Sequence, residues 1–323
     1  MRRLYSLPRR YKSAVGWLIR RSAWFLGRRF PLSARQALVA AIGRRKPRGG
    51  FELAMGLLED MRRSDPVKLH RFLWSNHLAY AESYEISRRF GALNINPTRH
   101  ILFREMTAHL RSRGVDPRKD IRSIFEVGCS MGYLLRHLEE EIFPSATVLH
   151  GLDIDAYAVE TGILHLSSLG SKVELFAADM EAVERIMGTR NFDVVLCCGV
   201  LMYVNESCAE RVLRAMFSRA GHLVGLICLA PSRTEVQRSE VRKSDGAFIH
   251  NMDRMIRGVG GRLISSSWVG TKISRSSPCH VILAEPPAKT SQHGTVPRHS
   301  SGHGLITTDL ETAPQTAQPT TRA

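Results

Sequence analysis

A chain of 323 residues can hold one full α/β domain with extensions, and it contains no run of about 18 apolar residues that could cross a membrane. Its formal net charge is +16, but residues 1–50 hold 14 of the 46 Arg and Lys residues and neither Asp nor Glu, whereas residues 51–323 hold 32 basic and 30 acidic residues. A main body this close to neutral disfavours a nucleic-acid-binding surface there.

The six cysteines show no disulfide framework and no metal site. None of them forms a CxxC pair, and no His lies at a spacing that suits zinc. We therefore expect the cysteines to stay reduced and expect no bound metal. Reduced cysteines favour a cytoplasmic location, or the mitochondrial matrix if the source is a eukaryote.

Residues 1–50 form a basic, Arg-rich extension. A helix from Ser13 to Phe30 would place large apolar side chains on one face, including Val15, Leu18, Ile19, Phe25 and Leu26. Such a helix can lie on an anionic membrane surface, act as a targeting segment, remain a solvated basic arm, or contact nucleic acid. Nucleic acid is the least favoured of these because no reader motif accompanies the charge. We expect the rest of the protein to fold and bind its ligand without this extension.

Three further segments follow. Residues 51–117 read as a helical cap, residues 118–286 as the main domain, and residues 287–323 as a polar tail without a packed core. Within the cap, Asp65 precedes a helix expected to run from Pro66 to Phe90. Its aromatic stripe is more typical of a core than of a site: Trp74, His77, Tyr80 and Tyr84.

A second capped helix follows. Asn96 precedes a helix that begins at Pro97 and ends before Gly114. Both helices come before the sheet.

The main domain begins with a strand, a turn and a helix. Residues 123–127 are apolar and favour a strand, and leucines at helical spacing follow Met131. The same alternation repeats along the chain, which predicts a parallel sheet with helices on both faces. Ligands of such sheets bind at the carboxyl ends of the strands, so the turn between Gly128 and Gly132 is the expected binding site.

The spacing in this turn argues against a dinucleotide. The dinucleotide pattern needs glycine at positions occupied here by Gly128, Ser130 and Tyr133, and only the first is glycine. The sequence instead reads Glu126-x-Gly128-x-Ser130-x-Gly132. An acidic residue at this place would attract an ammonium group and repel a pyrophosphate.

This pattern resembles motif I of the class I S-adenosylmethionine-dependent methyltransferases, with Ser130 where many members have glycine. The resemblance continues with Asp153 at the end of the second strand, Asp179 after the third, and Cys198 after the fourth, and it covers about residues 65–285. It implies a doubly wound, mostly parallel seven-stranded sheet that ends in an antiparallel hairpin. It also implies that S-adenosylmethionine is bound by the following residues: Glu126, Gly128, Ser130, Gly132, Asp153, Ile154, Asp179, Met180 and Cys198.

Three carboxylates at the ends of the second and third strands also have interpretations from the residues themselves. Asp153 could accept hydrogen bonds from both hydroxyl groups of a ribose. Asp155 and Asp179 are each suited to cap the helix that follows them.

The resemblance implies transfer of a methyl group by in-line displacement, and a small-molecule acceptor with an O or N nucleophile is favoured. His250 is the candidate general base, because an unperturbed pKa near ~6.5 suits neutral pH, and Tyr203 is the second candidate catalytic residue. The alternatives are an RNA or protein methyltransferase that uses the basic extension, and a protein that binds S-adenosylmethionine without turnover. The oligomeric state stays open.

Overall fold

The computed structural model describes residues 9–45, 50–78, 90, 95–229, 239–269 and 279–287. Its main feature is a seven-stranded sheet, and a two-stranded ribbon accompanies it. The strands are β1 (Ser123–Val127), β2 (Val148–Asp153), β3 (Val173–Ala177), β4 (Phe192–Cys198), β5 (Ala220–Leu229), β6 (Glu240–Val241), β7 (Phe248–Ile249), β8 (Arg262–Val269) and β9 (Cys279–Glu285).

Eleven α-helices lie in the described ranges. They are α1 (Arg9–Gly27), α2 (Leu32–Arg45), α3 (Gly50–Leu57), α4 (Glu59–Ser64), α5 (Pro66–Ser75), α6 (Pro97–Ser112), α7 (Tyr133–His137), α8 (Ala156–Ser168), α9 (Val183–Met187), α10 (Glu206–Arg219) and α11 (Met252–Gly258). A π-helical turn (Leu138–Ile142) continues α7, and two 3-10 turns cover Met180–Ala182 and Leu201–Tyr203. Over the residues that the structure describes, no helix is both long and apolar enough to span a membrane.

The strand order in the sheet is β3-β2-β1-β4-β5-β9-β8. Strands β1 to β5 run parallel, and β9 is antiparallel to both of its neighbours. This arrangement confirms the predicted doubly wound, mostly parallel sheet with a terminal antiparallel hairpin.

Both faces of the sheet are buried. Along β1, Ile124 packs into the core on one face and Phe125 into the core on the other, and both are fully buried. Strands covered on both faces have near-continuous apolar sequences, which is why β4 reads Phe-Asp-Val-Val-Leu-Cys-Cys. The two cores hold the strand ends, and therefore the loops that follow them, in fixed positions.

Helices α1 to α5 share a core of their own, which includes Ala23 of α1, Val39 of α2 and Met55 of α3. Helix α1 crosses α3 closely, since a Cβ atom added at Gly56 would lie 2.7 Å from the Cβ of Ala23. Arg20 of α1 also forms an ion pair with Glu52 of α3. Residues 9–45 therefore contribute to a core that continues beyond residue 50, and this differs from the expectation of a dispensable extension.

Helix α5 is shorter than predicted. Asp65 caps its first turn by accepting a hydrogen bond from the Lys68 amide, as expected, but the helix ends at Ser75 and not at Phe90. His77 adopts a left-handed conformation with φ of 57°, and the Leu78 amide donates to the Leu73 carbonyl, as in a Schellman motif. The predicted aromatic positions at residues 80 and 84 lie outside the described residues.

The second predicted cap is confirmed. Asn96 accepts a hydrogen bond from the Arg99 amide, and α6 follows from Pro97 to Ser112.

Candidate active site

The turn after β1 has the conformation that its glycines allow. Gly128 and Gly132 have φ of 80° and 76°, and the amide of Gly128 donates to the Leu152 carbonyl of β2 at 2.7 Å. Ser130 also lies in the left-handed region, with φ of 53°. A left-handed conformation costs a non-glycine residue about 1–2 kcal/mol. This cost explains why many members of the family that the motif resembles have glycine where this chain has Ser130.

Asp153 links this turn to the end of β2 through hydrogen bonds. Its carboxylate accepts a hydrogen bond from the Ser130 amide at 2.8 Å and another from the Asp155 amide at 2.9 Å. Burial raises the pKa of Asp153 to about 6, although these two backbone donors act in the opposite direction. The carboxylate that closes β2 is therefore both a part of the site and a support for its turn.

A cavity of about 380 Å³ opens beside the turn at the carboxyl ends of the strands. Seven of the nine predicted cofactor residues line it, together with Tyr203 from the 3-10 turn after β4. These seven are Gly128, Ser130, Asp153, Ile154, Asp179, Met180 and Cys198. The structure thus brings together residues that are spread over about 70 positions of the sequence, as expected for a parallel sheet.

Glu126 does not line the cavity. It is 3% exposed, and its Oε2 atom has no hydrogen-bond partner among the described residues. Burial raises the pKa of this carboxyl to about 8, opposed by the positive charge of Arg99 and assisted by the charge of Asp153.

Gly132 also lies outside the lining. A Cβ atom there would approach Leu166 and Leu175 to 3.0 Å, so this glycine allows close contact between the turn and the adjoining core.

His250 is not brought to the cavity. It is 2% exposed, and its Nε2 lies 3.0 Å from the Leu201 carbonyl while its Nδ1 lies 2.6 Å from the Ser239 hydroxyl. Because a carbonyl only accepts, Nε2 carries the proton and Nδ1 accepts from Ser239. Both nitrogens are thus engaged, Nε2 with the 3-10 turn that contains Tyr203 and Nδ1 with Ser239 before β6. The predicted general base therefore lies outside the cavity lining, and neither of its nitrogens is directed at the cavity with a free lone pair.

Helix α5 contributes four lining residues that the sequence analysis did not assign to the site: Val67, His70, Arg71 and Trp74. The ring of Tyr203 lies 4.9 Å from that of His70 and 5.0 Å from that of Trp74. Among the described histidines, His70 is the one that lines the cavity. Burial lowers its pKa, so the imidazole is neutral at pH 7.

Arg71 pairs with a residue expected to meet the cofactor. Its Nε atom lies 2.9 Å from Oδ2 of Asp179, and Oδ1 of the same carboxylate accepts from the Glu181 amide at 3.0 Å. The predicted capping by Asp179 is therefore confirmed, and the second oxygen already has a cationic partner.

Arg99 of α6 is another lining residue that the sequence analysis did not assign to the site. Its guanidinium lies 5.1 Å from the ring centroid of Tyr133, and its Nε atom is buried. Burial alone would lower the pKa of Arg99, but Tyr133, Cys198 and Glu126 outweigh that effect and raise it. The site therefore holds a cation from α6 and a carboxyl from β1 in electrostatic contact.

Comparison with known proteins gives one family. Residues 124–220 match a family model described as "Methyltransferase domain". No curated protein sequence matches the chain. The sheet order, the glycine turn and this match show that the chain carries a class I methyltransferase domain. It is an S-adenosylmethionine-dependent enzyme, and S-adenosylmethionine is its cofactor.

Several solved structures are similar in fold. Magnesium protoporphyrin IX methyltransferase from Synechocystis PCC 6803, with bound S-adenosylmethionine, is 16% identical with a TM-score of 0.45, covering 69% of this chain and 97% of that one. A methyltransferase from Leishmania major is 14% identical with a TM-score of 0.47, covering 69% and 84%. One from Clostridium acetobutylicum ATCC 824 is 10% identical with a TM-score of 0.42, covering 57% and 92%.

The buried carboxyl of Glu126 predicts a specific pH dependence of folding. Its pKa is raised from 4.5 to about 8 in the folded protein, so its contribution to stability is fully present below pH 4.5 and is lost as the pH rises to 8. Glu126→Gln keeps the shape and removes this titration. We expect both proteins to melt at similar temperatures near pH 5 and the variant to melt several degrees higher at pH 8.5, measured by differential scanning calorimetry. Identical pH profiles would show that Glu126 is not a buried neutral acid.

Proposed function

We propose that the enzyme transfers the methyl group to an O or N nucleophile of a small-molecule acceptor that binds against helix α5. The observation that supports this proposal is the single cavity that joins the turn after β1 to His70, Trp74 and Tyr203. Aromatic side chains with a few polar groups are typical of pockets for small molecules. The near-neutral charge of residues 51–323 points in the same direction.

The site residues fit the cofactor on two observations. A Cβ atom at Gly128 would overlap the side chain of Val200, so only glycine fits at this place in the wall of the cavity. Two buried oxygens at the turn, Glu126 Oε2 and Ser130 Oγ, have no partner among the described residues. Buried polar atoms of this kind are satisfied in most proteins, so a polar ligand group is the expected partner.

Each part of the cofactor has a candidate group. Asp153 would accept from the ribose hydroxyls, and Ile154 and Met180 would cover the adenine. Asp179 would meet the adenine amino group while keeping its contact with Arg71. Cys198 lies along the same wall of the cavity.

The methionyl end carries an ammonium and a carboxylate. We assign the ammonium to the side of Glu126 and the carboxylate to the side of Arg99, because opposite charges stabilise each other most strongly in a buried site. An ammonium beside Glu126 would favour its ionised form and release a proton on binding.

The bound cofactor supplies a methyl group that is already activated. The protein then has to align the acceptor, exclude water and accept a proton where the acceptor is a hydroxyl or an ammonium. Trp74 and Tyr203 would exclude water from the acceptor side. His70 replaces His250 as our candidate base, because it lines the cavity and its lowered pKa leaves a neutral ring that can accept a proton.

The test uses methyl-labelled S-adenosylmethionine with metabolite, RNA and protein fractions. We expect label in the metabolite fraction, and in that fraction His70→Ala should lower single-turnover transfer by roughly 10²- to 10⁴-fold with little change in cofactor affinity. His222→Ala, an exposed histidine on β5, is the matched control and should be neutral.

Three outcomes would oppose the proposal. Label that enters only RNA or only protein contradicts a small-molecule acceptor. Cofactor binding without transfer in any fraction supports a binding protein instead. Full activity of His70→Ala at every pH rejects His70 as the base and leaves alignment as the main contribution.

A further inference from the structure

Helix α1 turns its large apolar side chains away from the protein. Its small residues face α3: a Cβ atom at Gly16 would meet Glu52 at 3.5 Å, and one at Gly27 would meet Leu57 at 3.0 Å. The opposite side is exposed and contains Val15 (43% exposed), Leu18 (55%), Phe25 (47%) and Leu26 (57%). Val15 and Leu18 lie three residues apart, and Phe25 and Leu26 follow Leu18 two helical turns later, so the four side chains form a stripe on one face of the helix. A stripe of this kind on an exposed helix is typical of an interaction surface.

Exposed arginines lie within and beside this stripe. The guanidinium of Arg21 is 5.0 Å from the ring centroid of Trp17, and those of Arg28 and Arg29 are 4.5 Å and 5.8 Å from that of Phe25. None of the three arginines forms an ion pair with a described carboxylate. The outer face of α1 comprises Val15, Trp17, Leu18, Arg21, Phe25 and Leu26 together with Arg28 and Arg29 of the turn that follows the helix.

The orientation of α1 is fixed by contacts on its other side. Arg20 donates from Nε to Glu52 at 2.9 Å and from Nη1 to the Ser244 carbonyl at 2.8 Å. Ala23 is buried in the core shared by α1 to α5. The helix cannot bury its apolar stripe by rotating without breaking these contacts, so the outer face stays exposed until a partner covers it.

The charges of the outer face indicate what the partner is. Residues 1–50 contain 14 Arg and Lys residues and no Asp or Glu. A second copy of this chain would bring arginines against arginines, which is unfavourable. A nucleic acid would pair with the arginines but would leave Leu18 and Leu26 without an apolar partner. The interface of an anionic bilayer satisfies both, because its headgroups pair with guanidinium groups and its acyl region receives Leu and Phe side chains.

We propose that the outer face of α1 docks the enzyme on an anionic phospholipid membrane. Helix α1 would lie in the plane of the interface, with Leu18, Phe25 and Leu26 inserted and Arg21, Arg28 and Arg29 at headgroup level. The body of the enzyme then stays attached through α3. This surface is separate from the cavity, so membrane docking and cofactor binding are tested independently.

The experiment measures co-sedimentation of the full chain with vesicles of phosphatidylcholine, with and without phosphatidylglycerol. We expect binding only to the anionic vesicles, weakened by salt. The variant Leu18→Ser/Phe25→Ser/Leu26→Ser should lower the partition coefficient roughly tenfold or more. The variant Arg21→Gln/Arg28→Gln/Arg29→Gln should do the same and lose the salt sensitivity. In both variants, the thermal shift caused by S-adenosylhomocysteine should equal that of the wild type.

A matched control changes three exposed apolar residues of the main domain: Ile163→Ser/Leu164→Ser/Leu169→Ser. It should leave vesicle binding unchanged. The proposal is overturned if the control loses as much binding as the α1 variants, or if the wild type binds neutral and anionic vesicles equally. It is also overturned if the wild type binds no vesicles but forms a dimer or an RNA complex that the serine variant abolishes.

Discussion

Gly128→Val is expected to abolish binding of S-adenosylhomocysteine. A Cβ atom at this position would lie 2.9 Å from both Cβ and Cγ1 of Val200 and closer still to Cγ2, and the backbone has φ of 80°. Overpacking and a left-handed backbone each cost about 1–3 kcal/mol for a non-glycine residue. The turn has to move to relieve this strain, and the ligand then loses its contact with the backbone. We expect titration calorimetry to show an affinity at least about 100-fold lower.

Gly258→Val is the matched control for this change. Gly258 has no atom within 4 Å of an added Cβ, and it lies at the end of α11 on the surface. This control should bind S-adenosylhomocysteine like the wild type. Circular dichroism should show that both variants retain their helices and strands. Undiminished binding by the folded Gly128 variant would mean that the ligand does not use the turn after β1.

Asp153→Ala is expected to have the second-largest effect. The change removes an acceptor that holds the amides of Ser130 and Asp155, and it removes the carboxylate expected to meet the ribose. Hydrogen bonds to a charged group contribute about 1.5–3 kcal/mol each. We expect S-adenosylhomocysteine to bind to Asp153→Ala at least roughly 100-fold more weakly than to the wild type. Asp153→Asn keeps one oxygen acceptor, so its affinity should lie between those of the wild type and Asp153→Ala.

The chain offers a close control for Asp153. Asp193, at the start of β4, accepts hydrogen bonds from the amides of Arg122 and Ser123 at 2.7 Å and 2.9 Å. Like Asp153, it therefore binds two backbone amides. Asp193 does not line the cavity. Asp193→Ala should lower the melting temperature without weakening ligand affinity. If the two alanine variants lose affinity equally, the effect of Asp153 is general destabilisation and not ligand contact.

The turn after β1 was predictable because its requirements are local. The step from a strand to a helix at Gly128, with an acid two places before it, is visible within ten residues of sequence. The same holds for caps, since Asp155 accepts from the Ala158 amide as its position before α8 predicts. The parallel sheet was predictable because strands and helices alternate along the chain, which leaves few topologies.

The acceptor side was less predictable because distant segments build it. The position of His250 depends on the pairing of β6 with β7 and on Leu201, which is 49 residues away. Arg71 and Arg99 come from helices that precede the sheet, and only tertiary contacts place them at the cavity. The early end of α5 was not predictable because glycine usually marks such a helix end, whereas here His77 adopts the left-handed conformation.

The central claim is that the cavity is a site for S-adenosylmethionine, and calorimetric titration of the wild-type protein tests it most directly. We predict that S-adenosylhomocysteine binds at one site per chain and raises the melting temperature, while NADH does neither, because the turn lacks the glycines that a pyrophosphate needs. Binding of NADH together with no binding of S-adenosylhomocysteine would contradict the account.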